Sequence, residues 1–307
     1  MGRGLLHRGF LKQGLGLGLL ATIALGACSP SGAPSAGTSG APAGQGALAR
    51  ITADKVVRVG FANEAPYGFA SPEGKLTGEA PEVLRAYFKS IGVETLEGVL
   101  TDFGSLIPGL QANRFDVVGA GMFIRPARCE QIAFGDPDYR IGEAFAVKKG
   151  NPLNLHTLKD VAASSTAKFG SFTGTVEFEY ADTAGVPKDR QVVFPDGPTL
   201  MAGLQAGRID VAMLTTLSIR DLLQKTADPN LEYVALDEQP VGKDGKPAIG
   251  YGAMGFRKED NDLRDSYNAW LAKVKASGEL ATIIKPFGFT AEDVAPADVK
   301  AATACAG

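Results

Sequence analysis

Two short stretches carry the side chains best suited to hold a small charged molecule. Residues 60–69 read GFANEAPYGF and set one acid, Glu64, among aromatics that include Tyr67. Residues 121–128 read GMFIRPAR and supply a ring, Phe123, and a guanidinium, Arg128. Each stretch follows an apolar, strand-like run, 56–61 for the first and 115–120 for the second, and so sits at the carboxyl end of a strand. In open α/β sheets that is where ligands bind. A carboxylate orients a cation, aromatic faces hold a delocalised one, and a guanidinium offers a planar pair of donors to two oxygens. The chemistry is therefore the binding of a small molecule that carries both charges. Further on, residues 172–176 end a strand and open a helix at Gly174 and Thr175. Such a start is either an anion site made by free amides or an ordinary capped helix.

Length and composition narrow the classes. With 307 residues and 45% hydrophobic content the chain can bury a sizeable core and fill about two domains. A net charge of −3 without a dominant Lys/Arg run argues against a nucleic-acid partner. Of the histidines, His7 lies in the leader and His156 in a loop before a helix signal at 157–163. A mature chain with one histidine has no Ser-His-Asp or Cys-His constellation and few options for a metal, so neither metal nor cofactor is expected.

Residues 1–28 read as an export signal. Arg3, Arg8 and Lys12 supply its positive end, and 14–27 is apolar but too short to span a bilayer. It closes on Leu25, Gly26, Ala27 and Cys28, which resembles the lipobox of bacterial lipoproteins, where the thiol takes a diacylglycerol. An ordinary signal peptide with a chance cysteine is the alternative. Residues 29–52 read as a flexible linker, since a run of Ser, Gly, Ala and Pro to Ala49 buries too little apolar surface to fold. The expected protein is thus an extracytoplasmic monomer held to the membrane by its lipid. Cys129 and Cys305 remain. Outside the cytoplasm such a pair tends to oxidise to a disulfide; two unpaired thiols are the alternative.

The elements that position the charged and aromatic residues alternate between strand and helix. Strands over 56–61, 95–100 and 116–120 are joined by helices over 81–92 and 103–113. On the first helix Val83, Leu84, Tyr87, Phe88 and Ile91 share one face and belong to the core. A second set alternates helices over 158–163, 175–184, 198–206 and 217–225 with strands over 168–172, 191–194, 210–214 and 231–236. LQANRFD at 110–116 and LQAGRID at 204–210 each lead into an apolar run, which predicts one α/β unit used twice. Extended segments at 142–149 and 251–256 cross between the lobes and make a two-stranded hinge able to close on a ligand. Lobe 1 is expected over 53–146 and 252–307, and lobe 2 over 147–251. Leu263, Tyr267, Trp270, Leu271 and Val274 form a helical stripe that packs back on lobe 1.

With these residues in view, the chain over 56–288 resembles the solute-binding proteins of polar amino-acid ABC importers. The resemblance rests on the opening strand, on IRPARCEQIAFGDPDY at 124–139, on the crossing strands and on SGELATIIKPFG at 277–288. It implies an α/β, type II periplasmic-binding-protein fold of two lobes, with permease and ATPase subunits as partners. Within that family GFANEAPYGF looks like the receptors for ectoine and hydroxyectoine, cyclic solutes with a carboxylate and a delocalised amidinium. The resemblance implies that Arg128 holds the ligand carboxylate and that Tyr67, Phe103 and Phe123 box the amidinium. It also implies that Thr175, Val176 and Glu177 face the ligand from the opposite lobe. Two positions depart from amino-acid receptors: Phe123 replaces a serine or threonine, and Thr215 replaces the aspartate that meets an α-ammonium. Glu64, on the other lobe, is the natural replacement for that charge.

Other readings stay open. One is a receptor for a polar amino acid or another cationic zwitterion. A second is an exported dehydratase of cyclic acids with Glu64 as general acid near Arg128, although Glu177 alone offers a second titratable group. A third, a structural or adhesive lipoprotein, would need no such constellation.

Overall fold

A computed structural model describes residues 46–306 apart from 244 and 246–248. The leader, Cys28 and the linker to residue 45 lie outside the described residues. Among the described ones no helix is long and apolar enough to cross a membrane.

In chain order, lobe 1 contributes α1 (Ala47–Asp54), β1 (Val56–Phe61), β2 (Phe69–Ala70), β3 (Leu76–Thr77), α2 (Glu79–Ser90), β4 (Thr95–Leu100), α3 (Leu106–Gln111), β5 (Val117–Phe123), α4 (Pro126–Cys129), β6 (Ala133–Phe134) and β7 (Tyr139–Ile141). Lobe 2 follows with β8 (Glu143–Lys148), α5 (Leu158–Ala163), β9 (Phe169–Phe172), α6 (Glu177–Ala184), β10 (Gln191–Phe194), α7 (Gly197–Gln205), β11 (Val211–Thr215), α8 (Thr216–Thr226) and β12 (Leu231–Ala235). The chain returns through β13 (Gly250–Phe256), α9 (Asn261–Ser277), α10 (Glu279–Ile284) and α11 (Ala301–Ala306).

The main sheets run β4-β1-β5-β13-β6 and β10-β9-β11-β8-β12. In each, the second, first and third parallel strands lie in that order and an antiparallel crossing strand follows. The paired sequences at 110–116 and 204–210 account for this. Asn113 and Gly207 both take positive φ where a helix stops. Asp116 accepts the Arg58 amide at 2.9 Å, and Asp210 accepts the Lys168 amide at 2.9 Å. The same short unit thus ties the third strand of each lobe to the first.

Strands buried on both faces, such as β5, read as continuous apolar runs. The stripe of α2 buries Val83, Leu84, Tyr87 and Phe88, and that of α9 buries Leu263, Tyr267, Leu271 and Val274. Trp270 packs partly buried against Tyr87 and Tyr267, with ring centres 5.7 and 6.0 Å away. Cys129 and Cys305 form a disulfide that ties α11 to α4 across a sequence separation of 176.

Two expectations change. Residues 47–52 are not linker: Ala47 and Ile51, one helical turn apart, are buried, and Arg50 reaches Asp116 at 2.6 Å. The crossings also move. Residues 143–147 of β8, Glu143 included, pair with β11, and Gly250 and Tyr251 pair with β7 in the sheet of lobe 1. The chain therefore changes lobe at Gly142 and again between β12 and β13, where the Gln239 side chain accepts the Glu143 amide at 2.7 Å. Inner strands and crossings are both extended and apolar, which is why the sequence put the boundary late.

Candidate ligand-binding site

Local bonding places each side chain. After β1 the chain folds into a tight loop, in which the amides of Tyr67 and Gly68 donate to the Glu64 carbonyl at 2.9 and 3.0 Å. That loop carries Glu64 and Tyr67 to the end of the sheet of lobe 1. At the end of β5, Gly121 has φ +65°, and a Cβ there would lie 2.5 Å from the Tyr67 ring. Glycine thus lets the ring lie flat on the strand. Tyr139 stacks behind Tyr67 at 5.3 Å, faces Phe123 at 6.4 Å and donates its hydroxyl to the Gly121 carbonyl at 2.8 Å.

One cavity between the lobes is lined by Glu64, Tyr67, Phe103, Phe123 and Arg128 from lobe 1 and by Thr175, Val176, Glu177 and Thr215 from lobe 2. These are the residues expected from the sequence, joined by Gly121 and Leu214. The cavity measures about 320 Å³, counting its opening to solvent.

The lobes are bonded across it. Tyr67 donates to the Thr215 hydroxyl at 2.8 Å, Thr215 donates to Ser218 at 3.0 Å, and Ser218 donates to Glu64 at 2.7 Å. Arg128 donates to the Phe123 carbonyl at 2.8 Å and, across the cleft, to the Gly174 carbonyl at 2.9 Å. Its guanidinium lies over the Phe103 ring, 5.5 Å from the centre. An Arg125–Glu179 ion pair adds a further link between the lobes.

Burial sets the charges. It pushes Glu64 up to about 8; the Ser218 hydroxyl opposes the rise, while Glu177 and Asp221 add to it. Burial draws Arg128 down to about 10, with Glu177 opposing, so the guanidinium stays charged at neutral pH. Glu177 is raised by burial and held back by Thr175, its own amide and Arg128. The site therefore offers one firm cation, acids on both lobes and several rings, a match for a zwitterion. Among the described residues no group of three or more His, Cys, Asp or Glu is placed to hold a metal ion.

The helix expected to open at Thr175 begins at Glu177 instead, because the Thr175 amide bonds back to the Phe172 carbonyl at 3.3 Å. An acid of the chain itself thus occupies the first helical position, and Arg128 is the group left for a ligand carboxylate. Ser218 escaped the sequence reading. Its signal was the spacing Thr-x-x-Ser at a helix start, which puts both hydroxyls on one side: Thr215 caps α8 and accepts the Ser218 amide at 3.3 Å. Gly121 and Leu214 had no signal beyond their place at strand ends.

Two α/β lobes joined by crossing strands and bonded over a cavity of both charges define a solute-binding protein. The family model for bacterial extracellular solute-binding proteins, family 3, matches residues 57–290, and the chain belongs to that family. A probable amino-acid ABC transporter periplasmic-binding protein, y4tE of Sinorhizobium fredii, is 33% identical over 82% of this chain and 83% of its own length. The histidine-binding periplasmic protein of Salmonella typhimurium is 28% identical over 73% of this chain and 83% of its own. Among solved structures, EhuB in complex with hydroxyectoine superposes with a TM-score of 0.77 at 40% identity, covering 85% of this chain and 99% of that one. These relatives are solute-binding proteins rather than enzymes.

Proposed function

We propose that this protein is the receptor for ectoine or hydroxyectoine of an ABC importer, held outside the cytoplasm by a lipid on Cys28, and that it passes the solute to permease and ATPase subunits after its lobes close. It works as a monomer and as a binding protein, without catalysis. The observation that carries the reading is Glu64 among Tyr67, Phe103 and Phe123, facing Arg128 within one small cavity. Arg128 takes the carboxylate of the ligand, the rings take the face of the amidinium at about 0.5–2 kcal/mol each, and Glu64 fixes its orientation. The 40% identity to EhuB, whose structure holds hydroxyectoine, points the same way.

The competing reading, a receptor for a polar amino acid, draws support from the histidine-binding relatives. Against it, Thr215 offers an α-ammonium a hydroxyl that already serves Tyr67 and Ser218. Calorimetric titration of ectoine, hydroxyectoine, glutamine and arginine into wild type and Phe123→Ser separates the two. Tighter binding of either amino acid than of both cyclic solutes by the wild type, or unchanged ectoine affinity in Phe123→Ser, rules the proposal out.

A further inference from the structure

We propose that Glu143, which lies behind the cavity wall, is a positioning residue of the binding site: it donates a proton to Glu177 and so holds Glu177 as the carboxylate that faces the ligand beside Arg128. The inference rests on the cavity being the ligand site.

Glu143 opens β8 directly opposite Thr215 in antiparallel register, so both side chains leave the sheet on one face, the face of the cavity. It is 1% exposed, and Glu177 is 3% exposed. Neither carboxyl oxygen of Glu143 has an N–H or O–H partner among the described residues, nor has Oε2 of Glu177. Buried polar atoms seldom go unpaired. Glu143 stands opposite Thr215, and Thr215 and Glu177 line the same cavity; the two buried acids act on one another there, and a shared proton is what would satisfy both.

Their surroundings decide which acid keeps it. Glu177 occupies the first position of α6, where the helix start favours a negative charge, and Arg128 lies close. Glu143 sits on a strand and has no such cation; burial first, then the charges of Glu177 and Glu64, push it well above the usual carboxylate range. The proton therefore stays on Glu143 and the charge on Glu177. The other ionisable groups facing the pair are Glu64 and Tyr67 from the first loop, Arg128 on α4 and Tyr180 on α6; Arg125 and Glu179, further out, pair with each other. Glu143 is also fixed from behind: Gln239 accepts its amide and donates to its carbonyl at 3.3 Å. The residue that steadies Glu177 is thereby the first residue after the crossing at Gly142.

Ectoine and hydroxyectoine are titrated into wild type, Glu143→Gln and Glu143→Leu at neutral pH. Glutamine keeps a donor to Glu177, so Glu143→Gln is expected to bind within about twofold of wild type at neutral pH. Leucine has no donor, and Glu143→Leu is expected to bind about tenfold or more weakly. A glutamine variant as weak as the leucine variant, or a leucine variant that binds like wild type, overturns the proposal. If the wild type binds neither solute, the ligand reading has failed and the pair is tested alone. An infrared difference between ligand-free wild type and Glu143→Gln at neutral pH should then contain a protonated-carboxyl band, and its absence refutes the shared proton.

Discussion

Glu64 ties lobe closure to pH. In an open cleft it is a solvated carboxylate with an ordinary value of 4.5, and in the closed cleft burial carries it to about 8. Closing the lobes with no cation beside Glu64 therefore takes up a proton. Closure keeps its full stability below the ordinary value and loses it progressively as pH rises through about 8. The whole rise corresponds to ~5 kcal/mol. Glu64 is half-buried, so screening reduces this. A shift of ~2 kcal/mol, about thirtyfold in the open–closed ratio, is expected between about pH 5 and about pH 8. Energy transfer between a fluorophore on each lobe reads the closed fraction directly, and small-angle scattering reads it through the radius of gyration. Ligand-free wild type should open as pH rises, Glu64→Gln should flatten the response, and saturating ectoine should do the same because its cation replaces the proton. A closed fraction that stays constant or grows with pH, or a wild-type slope in Glu64→Gln, would refute the reasoning.

Arg128→Ala removes the bonds to the Phe123 and Gly174 carbonyls and leaves a ligand carboxylate unpaired; it should cost about 2–5 kcal/mol of binding by calorimetry, and affinity within about twofold of wild type would put the site elsewhere. Replacing Cys129 and Cys305 by serine opens a loop spanning a separation of 176 residues and should lower the unfolding free energy by ~5 kcal/mol in a denaturant titration; an unchanged midpoint contradicts the entropic account. Cys28→Ala should move the protein from the membrane fraction to the medium, and retention on membranes sinks the lipid anchor.

What the sequence revealed and what it hid divide along contact distance. The repeated unit at 110–116 and 204–210 was readable because each half bonds within its own lobe: a helix stop at positive φ, then an aspartate on the amide of a neighbouring strand. Among the residues lining the cavity, Glu64, Phe123 and Arg128 were readable because they follow strand ends, which converge in α/β folds, whereas Tyr67, Phe103 and most of the lobe 2 residues came from the family resemblance. Glu143 and Ser218 were hidden. Glu143 sits in an apolar strand and meets Glu177 from a different element, while Ser218 meets Glu64 over a separation of 154 residues. Nothing local marks Glu143, and the Thr-x-x-Ser spacing marks Ser218 only as part of a helix cap. The position of α1 was hidden for another reason: Ala47 and Ile51 look like linker until Arg50 finds Asp116, a buried charge that it shares with Arg58.

The hydroxyl chain joins selection to closure. Tyr67, Thr215, Ser218 and Glu64 run donor to acceptor from one lobe to the other and back. Two of its members, Tyr67 and Glu64, are also groups a cyclic cation would meet first in lobe 1. A solute that gives Glu64 an N–H while leaving the Ser218 and Tyr67 hydroxyls in place adds to the chain, because a carboxylate can accept several bonds at once. An α-ammonium seeks directed acceptors, and here it would draw the Thr215 oxygen out of the Tyr67 bond. Each such neutral bond is worth about 0.5–1.5 kcal/mol, so breaking it lowers affinity and favours the open form together. On the proposed reading, discrimination against amino acids would arise in lobe 2 as much as in the aromatic box, from a threonine that is already bonded.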